Sequence, residues 1–140
     1  MNAILWILQG LLGLHTAMGA VWKIANSEQA VPSLKAIPHA VWQMMSVVEL
    51  LCSAALILPA FSRRLAFLAP LSATAIAVEM VLFSGLHLFS GSADHAHVIY
   101  WLVVAAISAF VAYGRYKLWP IEQPPVTATP ASPTGRGVGA

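Results

Sequence analysis

The sequence predicts an all-α integral membrane protein, a four-helix up-down bundle with both termini on the cytoplasmic side. Three observations carry this. Of 140 residues 59% are apolar and only 9% charged, and the mean hydropathy is +0.78, against about 45–50% and about 25% for ordinary soluble domains. A soluble fold of this size leaves too much of its surface in water to hide that apolar content. The apolar residues also fall in four runs, and the basic residues gather between alternate runs. A soluble globular domain and a disordered chain are thereby excluded. So is a nucleic-acid binder, because 7 Lys and Arg are too sparse for a phosphate backbone.

A bilayer core takes about 20 helical residues to cross. Four stretches suffice: Ala3–Trp22, Ala40–Ala60, Leu65–Phe89 and Ala96–Leu118. Each is expected to be helical, since lipid offers nothing to unpaired backbone N–H and C=O groups. Short connections favour antiparallel neighbours. The first run ends in Ala17-Met18-Gly19-Ala20, which imitates a signal-peptide cleavage site. It lacks a basic leader and is longer than a signal core, so it reads as a retained helix.

Arg63 and Arg64 lie between spans two and three; Arg115 and Lys117, with Arg136 beyond, follow span four. Lys23 and Lys35 occupy loop one, and loop three has no Lys or Arg. The positive-inside rule then places both termini inside. Trp6, Tyr116 and Trp119 mark the inner interface, and Trp22 and Trp42 the outer one. Small residues at helix-contact spacing (Ala69, Ala73 and Ala77; Ala105 and Ala109) suit close packing. Loop one, with Pro32 and Pro38, is expected to turn near Ser33–Ile37. Residues 119–140, rich in Pro, Thr, Ser and Gly, form no core and read as a disordered cytoplasmic tail. The single cysteine, Cys52, makes no internal disulfide or redox pair and reads as an inert buried thiol.

Ionisable residues within a membrane are costly, about 2.5–3.5 kcal/mol each at mid-helix, and are functional candidates by default. Here they are His15, Glu49, Glu79 and His87. On a helical wheel Gln43, Ser46, Glu49 and Ser53 share an arc of about 120°, and Ser72, Glu79 and His87 one of about 80°. His97, Trp101 and Ser108 form a stripe on helix four; Gln9, Thr16, Gly19 and Lys23 form one on helix one, with His15 at its edge. One interior polar cluster opening outward is the economical arrangement. Two readings stand for it. Either protonated Glu49 and Glu79 bond hydroxyls, backbone or histidines to hold the bundle while Lys23 snorkels outward, or the cluster binds a small molecule, a proton or a metal.

Asp94-His95-Ala96-His97 is the one stretch with metal-ligand character, suited to zinc or copper. Three candidate ligands in four residues rarely reach one ion without help, for which His39 is available, so an exposed polar loop is the first reading. No spacing suggests a nucleophile with its base, a phosphate loop or a hydrolytic carboxylate pair.

Several pieces in order resemble the DoxX-like family of small bacterial four-helix membrane proteins. They are Ala20-Val21-Trp22-Lys23, Glu49 followed by Leu56-Ile57-Leu58-Pro59, Leu68-Ala69-Pro70-Leu71, Leu86-His87-Leu88, and Phe110-Val111-Ala112-Tyr113-Gly114-Arg115. The likeness covers about Leu5 to Arg115. It implies a multi-pass protein of the bacterial inner membrane, sometimes linked to redox chemistry; the family's namesake is associated with quinone reduction coupled to thiosulfate oxidation. Lys23, Glu49 and His87 match family positions, whereas His15 and Glu79 match none. After His87 this chain has Phe89-Ser90-Gly91-Ser92, where relatives often carry basic residues and Gly-Glu.

The resemblance therefore implies an accessory or membrane subunit of a redox system, with quinone as the candidate ligand and an oxidoreductase subunit as partner. His87, protonated Glu49 and Trp101 would supply the hydrogen-bond donor and the apolar slot that a quinone ring needs. The alternative is a non-catalytic scaffold or a carrier of a small apolar molecule, alone or as a homo-oligomer. The residues themselves imply no cofactor.

Overall fold

The structure, a computed structural model, describes residues 2–118 and 120–121. Four helices carry it: α1 (Asn2–Ala25), α2 (His39–Ile57), α3 (Leu68–Phe89) and α4 (Ala96–Tyr113). Each, with its flanking turns, is long and apolar enough to cross a membrane, and no strand occurs among the described residues. Trp119, Arg136 and the Pro-rich tail, apart from Pro120 and Ile121, lie outside the described residues.

The helix ends follow local chemistry. Helix α1 runs three residues past its expected end because Trp42 reaches over it: the indole N–H lies 3.1 Å from the Lys23 carbonyl and 2.9 Å from that of Asn26. These are carbonyls that a helix C-terminus leaves without intrahelical partners. Trp42 is therefore a buried cap, 1% exposed, and not the interfacial anchor its position suggested; Trp22 remains at the surface. Helix α2 tightens into a 3-10 turn, Leu58–Ala60. Pro59 gives no N–H to the helix there, and Gln9 Nε2 of α1 donates to the Leu56 carbonyl at 2.6 Å. Arg63–Leu65 forms another 3-10 turn before α3. Helix α3 ends at Ser90, with Gly91 at φ +70° supplying the left-handed residue that helix termination favours. Beyond Tyr113, α4 widens into a π-type turn, Gly114–Leu118.

The outer surface is apolar, and the polar side chains are gathered inside among a core of Leu12, Trp42, Leu56, Ile76 and Phe83. Ile7, Leu11, Leu14, Met18 and Val21 of α1, like Met44 and Leu51 of α2, face outward. Gln9, Lys23, Glu49, Ser53, His87, Ser108 and Arg115 are buried. In hydrocarbon an unpaired polar group costs several kcal/mol, so polar faces turn toward partners and leucines toward lipid. Several hydroxyls are satisfied within their own helix: Ser46 donates to Trp42 O, Ser84 to Met80 O and Ser108 to Val104 O. The chain is a multi-pass membrane protein.

Packing is uneven. Helix α1 lies most extensively on α2 and α3 on α4, while the α1–α4 seam is thinnest. Gly13 lets α1 approach α2, where Ser53 Oγ donates to the Gly13 carbonyl at 2.7 Å. At the end where α1 begins, Arg115 leaves its expected place among surface charges and is buried, 3% exposed. It donates to Gln9 Oε1 (2.8 Å) and Asn2 Oδ1 (2.9 Å) and lies 4.4 Å from the Trp6 ring. At the other end loop one folds over the bundle through 3-10 turns at Glu28–Ala30 and Pro32–Leu34, the second continuing into the turn expected at Ser33–Ile37, and buries Leu34 and Ile37.

Gly114 faces the buried Leu5: a Cβ there would lie 2.6 Å from Leu5 Cδ2. Gly114→Val should therefore lower stability by about 1–3 kcal/mol. Leu5→Ala in the same chain should recover part of that loss, read as thermal unfolding in detergent. Strictly additive effects would disprove the contact.

Candidate functional site

Three helices meet at one ammonium group. Lys23 is the last basic residue of α1, one turn above Gly19, and its stem is long enough to run either to the interface or inward. It runs inward: Nζ lies 2.6 Å from Glu49 Oε1 of α2 and 3.0 Å from Glu79 Oε1 of α3. The Lys23 residue is 6% exposed and Glu49 3%. The Phe83 ring lies 4.5 Å from Nζ and the Trp42 ring 5.6 Å, adding cation–π contacts in a dry setting. The snorkelling expectation for Lys23 is thus overturned. Both carboxyl groups meet an ammonium, where hydroxyls, backbone or histidines were expected. The trio holds one cation and two carboxyl groups. A second charge of one sign remains until a proton or a ligand's donor compensates it. Glu49 Oε2 is buried and, among the described residues, receives no hydrogen bond from an N–H or hydroxyl donor.

That oxygen belongs to a side chain lining a cavity of about 200 Å³. Lys23 and Glu49 form its polar wall, and Trp42, Phe83, Trp101 and Met80 contribute apolar surface. Loop one closes it above with Val31 and Leu34. Its remaining walls come from the two sides of the thin seam: His15, Thr16 and Gly19 of α1, and His97, Tyr100 and Val104 of α4. A Cβ built on Gly19 would meet nothing within 4 Å, so the seam is open at that point. Below it His15 Nε2 and Tyr100 Oη, 2.6 Å apart with rings edge to face at 5.6 Å, join α1 to α4.

The single cluster expected from the helical wheel is divided. His87, grouped with Glu49 in sequence, is buried at the loop-one end of the bundle. Its Nδ1 lies 2.7 Å from Ser33 Oγ and its Nε2 2.5 Å from the Asp94 carbonyl, so it ties loop one to loop three. His97 and Trp101 flank its ring at 6.1 and 5.6 Å. Gln43 is half-buried one turn above Ser46. His39 departs from the other loop histidines to pair with Glu28, Nδ1 to Oε2 at 2.9 Å. His97 Nδ1 and Asp94 Oδ2 are 3.7 Å apart at an exposed site. Among the described residues no group of three His, Cys, Asp or Glu side chains is arranged to hold a metal ion.

Gln9 and Arg115 escaped the sequence-based list. Gln9 lay on the polar stripe of α1, and Arg115 looked like a topology charge. The missing signal was their pairing across the termini, which no single helix displays.

This architecture defines a class: a four-helix membrane protein whose polar interior combines a Lys–Glu–Glu trio with a small cavity reached between the first and last helices. The chain belongs to the DoxX-like family, whose model matches residues 7–111. That span includes the whole trio, His15 and His87. Comparison with curated proteins and with solved structures finds no match for either.

Removing one member of a buried ion pair strands its partners, at about 3–5 kcal/mol. Lys23→Met should destabilise the bundle by that amount in detergent unfolding. Adding Glu49→Gln and Glu79→Gln should recover most of the loss, because no uncompensated charge then remains. A neutral Lys23→Met would contradict this account.

Loop one offers a pH test. The His39 hydrogen bond, helped by the backbone N–H of Glu28 itself, holds the Glu28 carboxyl below its ordinary value of 4.5. A folded value below the unfolded one stabilises the fold above about pH 4.5, and that contribution is lost as pH falls through the lowered value. Thermal midpoints of the native chain and Glu28→Gln should differ at neutral pH and converge in acid.

Proposed function

We propose that the protein is a membrane subunit or accessory component of a redox system and binds the ring of a quinone-class molecule in the α1–α4 cavity. The observation that carries this is Glu49 Oε2, a buried acceptor with no donor among the described residues, on a side chain that lines the cavity together with Lys23. Lys23 donates to a carbonyl oxygen, and Glu49 Oε2 accepts from a hydroxyl. One site therefore suits both the oxidised and the reduced ring. A volume of about 200 Å³ is below the range of about 300–1,000 Å³ that encloses drug-sized ligands. It suits a single ring whose tail leaves through the gap at Gly19 into lipid. Trp101 remains a cavity residue in this reading, whereas His87, with both ring nitrogens engaged, does not contact the ligand. A lone half-buried thiol, Cys52, gives the chain no dithiol to cycle, so electron transfer is assigned to a partner oxidoreductase subunit.

We place the protein in the bacterial inner membrane with both termini in the cytoplasm. With Lys23 turned inward, loop one keeps Lys35 alone, against Arg63, Arg64 and Lys117 at the opposite end.

Titration of the purified protein with a short-chain ubiquinone analogue, followed by tryptophan quenching, tests the reading. Binding should saturate. It should weaken at least about tenfold in Glu49→Gln, the scale of a lost hydrogen bond to a charged group, and similarly in Gly19→Leu, which plugs the gap. His87→Ala should leave it intact. No saturable binding, or binding indifferent to Glu49 and Gly19, overturns the proposal. Saturable binding without an oxidoreductase subunit co-purifying from native membrane favours a carrier or homo-oligomer that binds the same molecule.

A further inference from the structure

On the opposite side of α4 from the cavity, the α3–α4 face carries a long groove. Its wider part, about 810 Å³, runs from Phe67 and Pro70 past Ala77 and Ala109 to Arg115 and Lys117. A second part of about 430 Å³ shares Ala77, Val78 and Ala109 and continues to Val81 and Ala105. From Phe67 to Val81 the helix rises about 21 Å, enough to cover the acyl depth of one leaflet, about 15 Å. Tyr113 and Tyr116 lie toward its Arg115 end; elsewhere its hydroxyl, Thr74, donates back to the Pro70 carbonyl, so the trough is apolar.

One end of that trough is cationic. Arg115 and Lys117 line it, and Arg63 and Arg64 precede α3 at the same end of the bundle. None of the four forms an ion pair among the described residues. The described acidic residues all lie in mid-helix or at the opposite end. Arg115 is 3% exposed and held by Gln9 and Asn2, with its Nη2 lacking a hydrogen-bond partner among the described residues, while Lys117 at the same end is exposed. A guanidinium with a spare donor and an exposed ammonium, both lining an apolar trough, suit an anion with an apolar extension.

We infer that this groove binds an anionic phospholipid, its headgroup at Arg115 and Lys117 and one acyl chain along Ala77 and Ala109. Basic recesses between membrane helices recognise acidic headgroups by this combination. A second copy is the competing occupant, since small residues favour close helix contact. A two-fold axis along the membrane normal, however, would bring the same four cations of each copy together. A free phosphate would leave the apolar trough unused. The lipid satisfies both halves.

The full chain, reconstituted in phosphatidylcholine vesicles containing phosphatidylglycerol and re-extracted in mild detergent, is analysed for retained lipid by native mass spectrometry. Phosphatidylglycerol should be retained over phosphatidylcholine by at least about tenfold, and Lys117→Gln should reduce the preference about fivefold, the scale of one cation at an anionic surface. Arg115 also anchors Gln9, so the second variant is Ala109→Leu, which fills the trough from an exposed position. It should lose retained lipid of either headgroup with unchanged thermal unfolding. Equal retention of the two lipids, or retention indifferent to both variants, overturns the inference. So does efficient disulfide dimerisation of Ala109→Cys in the same vesicles, which would seat a second copy in the groove.

Discussion

The Lys23 ammonium sits among groups that have no alternative partner, and this sets the arrangement of three helices. In water a lysine released from its carboxylates recovers hydration. In a bilayer core Glu49 and Glu79 would be left with hydrocarbon and each other. The contact distances of 2.6 and 3.0 Å therefore set the relative rotation of α1, α2 and α3 and the depth at which they meet. Trp42 reinforces the register by capping the carbonyls of α1 directly above the ammonium it also faces. Helix packing alone specifies neither as tightly, because apolar side chains slide past one another in lipid with little penalty.

Helix α4 is outside this arrangement. It is held by its broad contact with α3, by Arg115 reaching Gln9 and Asn2 at one end, and by the His15–Tyr100 pair nearer the other. The seam between α1 and α4 is consequently the weakest, and the cavity opens there. A bundle sealed equally on all sides would hold the same trio with no route for a molecule from the bilayer.

Much of the architecture was legible because hydropathy accumulates over twenty residues and tolerates local error. The polar face of each helix was legible too, since a period of 3.6 residues is visible within one span. Partner choice between helices was not. Lys23 stands at the end of a span, where its four-carbon stem reaches equally to water and to the interior; the deciding fact is that Glu49 and Glu79 arrive at the same depth from two other helices. His87 and Glu49 share no such depth, because Ser33 and Asp94 come down from the loops and occupy both ring nitrogens of His87. Trp42 and Arg115 were misjudged for a related reason. Tryptophan and arginine near helix ends usually mark an interface, but each here finds a partner at a helix terminus whose proximity is a property of the whole bundle.

The composition of the trio bears on why it is there. Charge balance alone does not call for a third ionisable group, since one lysine and one carboxylate already balance; Glu79 is the group that brings α3 to Lys23, whereas the uncharged ties of Ser53 to Gly13 and Gln9 to Leu56 join only α1 and α2. Buried ion pairs are in any case poor stabilisers compared with well-packed apolar residues. The second carboxyl group therefore joins α3 to the trio while adding to its buried charge. Glu49 keeps an acceptor with no donor among the described residues, on a side chain lining the small cavity at the α1–α4 seam. An acceptor beside a donor in an apolar recess matches a ligand bearing oxygen in both carbonyl and hydroxyl forms. That unfilled acceptor is the ground on which the trio is read as a binding site.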